Sequence, residues 1–294
     1  MSLPAFETTA AADGTALAYR TAGEGPPLVL VNGVSTSMFF WKKILPRWAG
    51  RYRVVLWDYK GHGDSEPAKT RAGTKIDAMA DDLIRVMDAA GVERAPVVGF
   101  SMGSQVALEA CRLHGDRLAA VVSLLGTAGR VMDTALWSVG GKVAKAALTR
   151  MPRRAIPGLR RAAQLGLRLP GIYRAGKTMR LYGNETAPRD IAAYIEHFGR
   201  LDPKTVVDIV LAAGEHDAAD VLGDLQMPLL VIAGARDVFA SVEKVSQPIH
   251  AAAPGSQLVV LPEGTHGSLF GHDAEIDAAI EAFVDSVLPS RDWA

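Results

Sequence analysis

The sequence predicts an α/β protein: a mostly parallel, doubly wound sheet, entered through an antiparallel hairpin and interrupted by a helical insertion before its last strands. Three observations predict it. Short, β-branched, almost continuously apolar runs recur at 28–31, 54–57, 96–99, 120–124, 229–232 and 258–261. Runs without polar alternation suit strands covered on both faces. Helical patterns separate them, and strand–helix alternation implies right-handed crossovers. The rhythm fails between about 129 and 224, where no run reads as a strand.

Taken in order, segments 6–10 and 16–21 flank Asp13-Gly14, a strong hairpin signal. Between 76 and 90, Ile76, Met79, Leu83, Val86 and Met87 form one helical stripe, and Gly91 is placed to stop the helix. A second helix is expected over 102–114. In 129–224, helical stretches are punctuated by Pro152, Pro157, Pro170, Pro188 and Pro203. This segment is expected to cap the carboxyl edge of the sheet. The expected division is core 1–128, cap 129–224 and core 225–294.

Composition narrows the class. Of 294 residues, 49% are apolar and 22% charged, which suits a globular chain with an ample core. The 32 basic and 32 acidic residues cancel, which argues against nucleic acid as a partner. Cys111 is the single cysteine; it excludes an intrachain disulfide and fits the reducing cytoplasm, the expected location. Its thiol is expected to pack as a small hydrophobe. The first twelve residues lack the basic and apolar regions of a secretory signal. No stretch approaches the ~18 apolar residues of a membrane span.

The chemistry centres on Gly99-Phe100-Ser101-Met102-Gly103, between an apolar run and a helical pattern. A serine on a sharp strand-to-helix turn lifts its hydroxyl above the sheet edge, and glycine two residues to either side removes the collisions such a turn would cause. The Met102 N–H, at the helix start, points where an oxyanion would develop.

A serine hydroxyl needs a base, and the base an orienting acid. Seven histidines compete: 62, 114, 197, 216, 250, 266 and 272. His266 follows the last apolar run in a loop at the correct edge. His114 and His250 fall at helices away from it, and His197 and His216 lie in the expected cap. His62 belongs to a turn, and His272 comes too late. The run 229–233 leads to Asp237, placed to accept from His266 Nδ1–H. The rival position for an acid, after 119–125, holds Gly126 and Thr127, neither able to serve. A second oxyanion donor is expected from the loop after 28–31. There Gly33 allows a tight path and leaves the Val34 N–H as partner to that of Met102.

Together these residues resemble the α/β-hydrolase superfamily, in its capped esterase, lipase, epoxide hydrolase and haloperoxidase-like branch. The resemblance covers nearly the whole chain except the cap. Asp58-Tyr59-Lys60-Gly61-His62-Gly63-Asp64-Ser65 is similar to that family's strand-end turn, D-x-R-G-x-G-x-S, in which Asp58 and His62 would be structural. Two departures stand out. Asn32 replaces the histidine that usually precedes the oxyanion-loop glycine, which bears on that loop's support. Lys60 replaces arginine and loses its planar, bidentate hydrogen bonding. Epoxide hydrolases and haloalkane dehalogenases of this superfamily use an aspartate nucleophile. Serine implies an acyl-enzyme, and hence an ester, thioester, lactone or amide substrate.

The expected function is hydrolysis of a carboxylic ester in a small, apolar acyl substrate. Cofactor-free perhydrolysis, acyl transfer or C–C cleavage on the same groups is the alternative. A binding protein that kept the fold but lost turnover is a third reading, from another class. Phe39, Phe40, Trp41, Leu269 and Phe270 flank the site loops and are candidates to line an apolar pocket. From 130 to 180 there are twelve Lys/Arg and one acid, Asp133. The preferred reading of this stretch is the solvated face of packed helices. Steering of anionic substrates and contact with a membrane surface are the alternatives. Histidines and carboxylates lack metal-ligand spacing, and no nucleotide-binding glycine loop occurs; no cofactor is expected.

Overall fold

The computed structural model describes residues 4–130, 146–167, 169 and 171–287. The basic stretch 130–180 therefore lies partly outside the described residues.

Eight strands form one sheet: β1 (Glu7–Ala10), β2 (Ala16–Ala22), β3 (Pro27–Val31), β4 (Arg53–Trp57), β5 (Ala95–Phe100), β6 (Leu118–Leu124), β7 (Leu229–Gly234) and β8 (Gln257–Leu261). Their spatial order is β1-β2-β4-β3-β5-β6-β7-β8. β1 pairs antiparallel with β2, and β2 with β4, while every other pair is parallel. The expected hairpin is thus present, with Gly14 at φ +76° in its turn. That left-handed value favours glycine.

Both faces of the central strands are covered. Val29, Val31, Val55, Val97, Val121 and Val231 point to one side. There they meet α2 (Ile76–Ala89), which follows the one-turn α1 (Leu45–Trp48), and α3 (Met102–His114). Leu28, Leu30, Leu56, Val98, Val122, Leu230 and Ile232 point to the other. Burial there is against Trp48 and against Ile276, Ile280 and Phe283 of the last helix, Asp273–Val287. Successive residues serve opposite faces, so burial on both erases the alternation a half-exposed strand would show. Each fully buried aliphatic side chain contributes roughly 1.5–3 kcal/mol. The two edge strands, β1 and β8, have exposed positions, Val260 among them.

Between β6 and β7 the described residues hold no strand. Helices described there include α4 (Ile156–Leu167), α5 (Ile172–Thr178), α6 (Pro188–Phe198) and α7 (Pro203–Glu215). Two of the prolines that break the pattern in sequence begin helices in space. Pro188 and Pro203 open α6 and α7, where a missing N–H costs nothing. The Asp202 side chain caps α7 by accepting from Thr205 N–H at 2.8 Å.

The segment leans on the loops at the carboxyl ends of the strands. Buried Asp190 of α6 pairs with Lys42 at 2.9 Å and Lys43 at 3.0 Å. Its far end enters the main core: Ile209, Ala213, Ala218 and Leu222 pack with the β5–α3 cluster. The packing thus sets α7 and the stretch after it against the helices on one face of the sheet. Two further helices, α8 (Gln247–Ala252) and α9 (Asp273–Val287), complete the described chain.

Candidate active site

β5 ends at Phe100, and Ser101 turns the chain into α3 with φ +54° and ψ −118°. A non-glycine residue there is strained, and such strain persists only where its surroundings enforce it. The surroundings are tight. A Cβ on Gly99 would lie 2.4 Å from Gly103 O, and one on Gly103 would lie 2.5 Å from Val31 O. The two glycines let the turn close against itself and let α3 approach β3.

His266 stands opposite in the loop after β8. Its Nε2 lies 2.9 Å from Ser101 Oγ, and its Nδ1 lies 2.8 Å from Asp237 Oδ2. The loops that carry the two residues are stitched together. Arg236 N–H donates to Gly264 O at 2.8 Å and Ala235 N–H to Leu261 O at 3.0 Å. A side chain on Gly234 would strike Gly264 O at 2.5 Å. The other Asp237 oxygen accepts from the N–H groups of Phe239 and Ala240, at 2.7 and 3.0 Å.

Burial alone would push the Asp237 carboxyl up. His266 and the two N–H donors outweigh burial and hold it below the usual carboxylate value. Ionised Asp237 can only accept. Nδ1 of His266 therefore carries the proton, and Nε2 offers a lone pair to the Ser101 hydroxyl. The rings of Phe100 and Phe239 flank the imidazole at 5.3 and 4.9 Å between centroids.

The structure also accounts for the empty rival position. A Cβ on Gly126 would sit 1.8 Å from Ser104 Oγ, and that hydroxyl is committed to Gly99 O at 2.9 Å. A side chain at position 126 does not fit without displacing Ser104, in the helix that follows Ser101.

The loop after β3 passes directly over Ser101. A Cβ on Gly33 would come within 2.9 Å of the Phe100 ring and 3.1 Å of Ser101 Cβ. Among the described residues, neither the Val34 nor the Met102 N–H finds an acceptor. Asn32, the departure from the family pattern, supplies support of its own. Its amide donates to Trp57 O at 2.5 Å and accepts from Trp41 Nε1 at 2.7 Å. Lys60, the other departure, is buried and donates to Gly73 O at 3.0 Å and Asp82 Oδ2 at 2.5 Å. An ammonium on a flexible stem reaches α2 there without a bidentate fork.

The five apolar candidates are not equivalent. Phe40 packs between Phe100 and Phe270, at 4.9 and 4.5 Å. Trp41 and Leu269 are buried in the core, and the Trp41 N–H is spent on Asn32. Phe39 alone is half-buried, with its ring 4.8 Å from that of His197. His197 reaches down from α6 to Ser37 Oγ at 3.4 Å. Burial first, and then the charges of His62 and Arg200, pull its pKa down to about 4. In the sequence His197 counts only as a cap residue and Phe239 is passed over, because their positions depend on tertiary packing and follow no motif. Cys111 is half-buried against the core, and burial pushes its thiol up to about 12, which leaves an inert side chain.

Among the described residues no group of His, Cys, Asp or Glu could hold a metal ion, and no helix is long and apolar enough to cross a membrane. A family model described as the alpha/beta hydrolase fold matches residues 26–273. The solved structure of a thermophilic esterase from Thermogutta terrifontis, with malate bound, is 25% identical with a TM-score of 0.78, over 97% of this chain and 99% of that one. The structure of Est816, described as an N-acyl homoserine lactone degrading enzyme, is 28% identical with a TM-score of 0.70, over 96% and 100%. A Mycobacterium tuberculosis protein without an assigned activity is 26% identical over 289 residues, spanning 93% of this chain and 80% of its own.

Proposed function

The chain belongs to the alpha/beta hydrolase fold family, and on that premise we propose that it is a serine hydrolase cleaving carboxylic esters or lactones through an acyl-enzyme on Ser101. One observation carries the reading: the unbroken relay Ser101–His266–Asp237, with contacts of 2.9 and 2.8 Å, on a strained turn at a helix start. In this reading Ser101 Oγ attacks the substrate carbonyl carbon while its proton passes to His266 Nε2. Asp237 holds the tautomer and stabilises the imidazolium. The N–H groups of Val34 and Met102 receive the oxyanion. His266 then protonates the departing alkoxide as the C–O bond breaks. In the second half a water gives its proton to His266 and attacks the acyl carbon, and Ser101 leaves with that proton.

The helices described between β6 and β7 act as a cap over this site, and Phe39 is the apolar wall most open to an acyl or alcohol group. The similarity to an esterase and to Est816, described as an N-acyl homoserine lactone degrading enzyme, supports this substrate class. A fluorophosphonate should label Ser101 and nothing else, as read by peptide mapping. Ser101→Ala should lower p-nitrophenyl butyrate turnover by about 10⁴-fold or more. A folded wild-type protein that resists the label would sink the hydrolase reading and favour a binding role. Release of peracid in the presence of peroxide would instead identify perhydrolysis.

A further inference from the structure

The loop over Ser101 is held from one side by a single turn, the one that follows β4. Tyr59 OH donates to Asn32 O at 2.7 Å. Asp58 Oδ1 accepts from Met38 N–H at 2.8 Å. Between these two anchors, Ser35 N–H donates to His62 Nε2 at 3.1 Å. The turn therefore grips residues 32, 35 and 38, while the Val34 N–H within that span is left without a partner. Ser35 is the strained member, with φ +60°, and such a value in a non-glycine residue requires enforcement.

We propose that His62 is a positioning residue: its Nε2 lone pair fixes the Ser35 peptide and thereby aims the Val34 N–H at the oxyanion formed on Ser101. The inference rests on the hydrolase reading given above. The chemistry of the neighbours sets the ring's state. Lys60 O, 3.0 Å from Nδ1, can only accept, so Nδ1 carries the proton. Ser35 N–H can only donate, so Nε2 carries none. Burial, outweighing Lys60 O and Asp202, holds the imidazole neutral down to about pH 4. An acceptor that stays unprotonated through the neutral range is what the Ser35 N–H needs, and a solvent-exposed histidine, with a pKa near ~6.5, would be partly protonated across it. His62 touches no reacting atom; it acts through the loop.

The test compares His62→Leu with His62→Gln. Leucine fills the space but offers no acceptor. Glutamine can accept from Ser35 N–H and donate to Lys60 O. In p-nitrophenyl ester turnover, kcat of the leucine variant should fall by about 10- to 100-fold, as expected when a catalytic group is misplaced by an ångström or less. KM should stay within about twofold, because the oxyanion forms only in the transition state. Affinity for a trifluoromethyl ketone, which Ser101 converts to a hemiketal oxyanion, should fall in parallel with kcat. The glutamine variant should stay within about threefold of the wild type, the size of a small perturbation of one hydrogen bond. A leucine variant with unchanged kcat overturns the inference, as do leucine and glutamine variants that are equally impaired.

The wild-type protein gives a readout that needs no variant. Nitrogen-15 spectra should show Nε2 of His62 unprotonated, with a resonance that moves when the hemiketal forms. A protonated Nε2, or one indifferent to the hemiketal, overturns the proposal even if the leucine variant fails to fold. If the wild type neither turns over esters nor takes the fluorophosphonate label, the hydrolase reading fails and takes this inference with it. An active wild type with an unaffected leucine variant removes the inference alone.

Discussion

Asp237 is buried, yet it is kept ionised by three donors: His266 on one oxygen and two backbone N–H groups on the other. That division of labour makes an isosteric change informative. Asp237→Asn keeps the volume but can present its NH₂ to His266 Nδ1, which favours the wrong tautomer. It should lower kcat by about 10³–10⁴-fold while the fold survives, as checked by ester turnover beside a thermal melt. Ser101, His266 and Asp237 were legible in the sequence because each sits at the end of an apolar run, where position along the chain predicts position in space. Asn32 was legible only as an anomaly. Its amide bridging of Trp57 O and Trp41 Nε1 depends on two residues whose approach no local pattern records.

At the scale of elements, the turn at Ser101 depends on close approach of backbone to backbone. A methyl at position 103 would fall 2.5 Å from Val31 O and 2.7 Å from Asn32 O, and neither carbonyl belongs to a flexible side chain. Gly103→Ala should push α3 away from β3, costing roughly 1–3 kcal/mol as overpacking does, together with the geometry of both proposed oxyanion donors. Urea denaturation and the rate of fluorophosphonate labelling would show the two losses together. The docking of α6 depends instead on charge. Asp190 is 2% exposed and faces two half-exposed lysines. Asp190→Asn should weaken that attachment by about 1–3 kcal/mol, below the cost for a fully buried pair because water can reach the lysines. Limited proteolysis should then cut the 146–200 region faster than the sheet. The sequence showed helices in this segment but not where it docks. A carboxylate at position 190 reads as an ordinary exposed acid until Lys42 and Lys43 are brought to it.

Across the whole molecule, buried titratable groups pull the stability profile in opposite directions. His62 and His197 are held near pH 4 by burial, below the 6.5 of an unfolded histidine. Between those limits the unfolded chain binds protons that the native one refuses, so each histidine makes stability fall as pH falls from about 6.5 to about 4. Asp58 and Asp82, raised by burial to about 6, act with the reverse sign. Each adds stability as pH falls from about 6 towards 3.8, because the native state takes up the proton first. The summed profile should therefore be shallow in this window. The difference between wild type and His62→Gln isolates one contribution. On acidification from pH 6.5, the variant should lose less stability than the wild type by up to about 1.4 kcal/mol per pH unit. Urea midpoints at pH 5 and 7 would measure it, and parallel profiles would show that His62 titrates normally. None of these opposed shifts is visible in a formal net charge of zero, because charge counts residues whereas pKa follows burial.

The contact between position 126 and the Ser104 hydroxyl has a consequence for descent. A chain of this kind could in principle move its acid from the end of β7 to the end of β6, since the two strands are parallel neighbours in the sheet. Here Gly126→Asp alone would displace α3 before the new carboxylate could serve, so the intermediate form is disfavoured. Relocation would need position 104 to shrink first, to glycine for instance, and position 237 to be released last. The Ser104 side chain and the Ser101 carbonyl, the latter 2.9 Å from a Cβ at position 126, together oppose those steps, which makes the present placement of the acid a historical commitment as well as a geometric one.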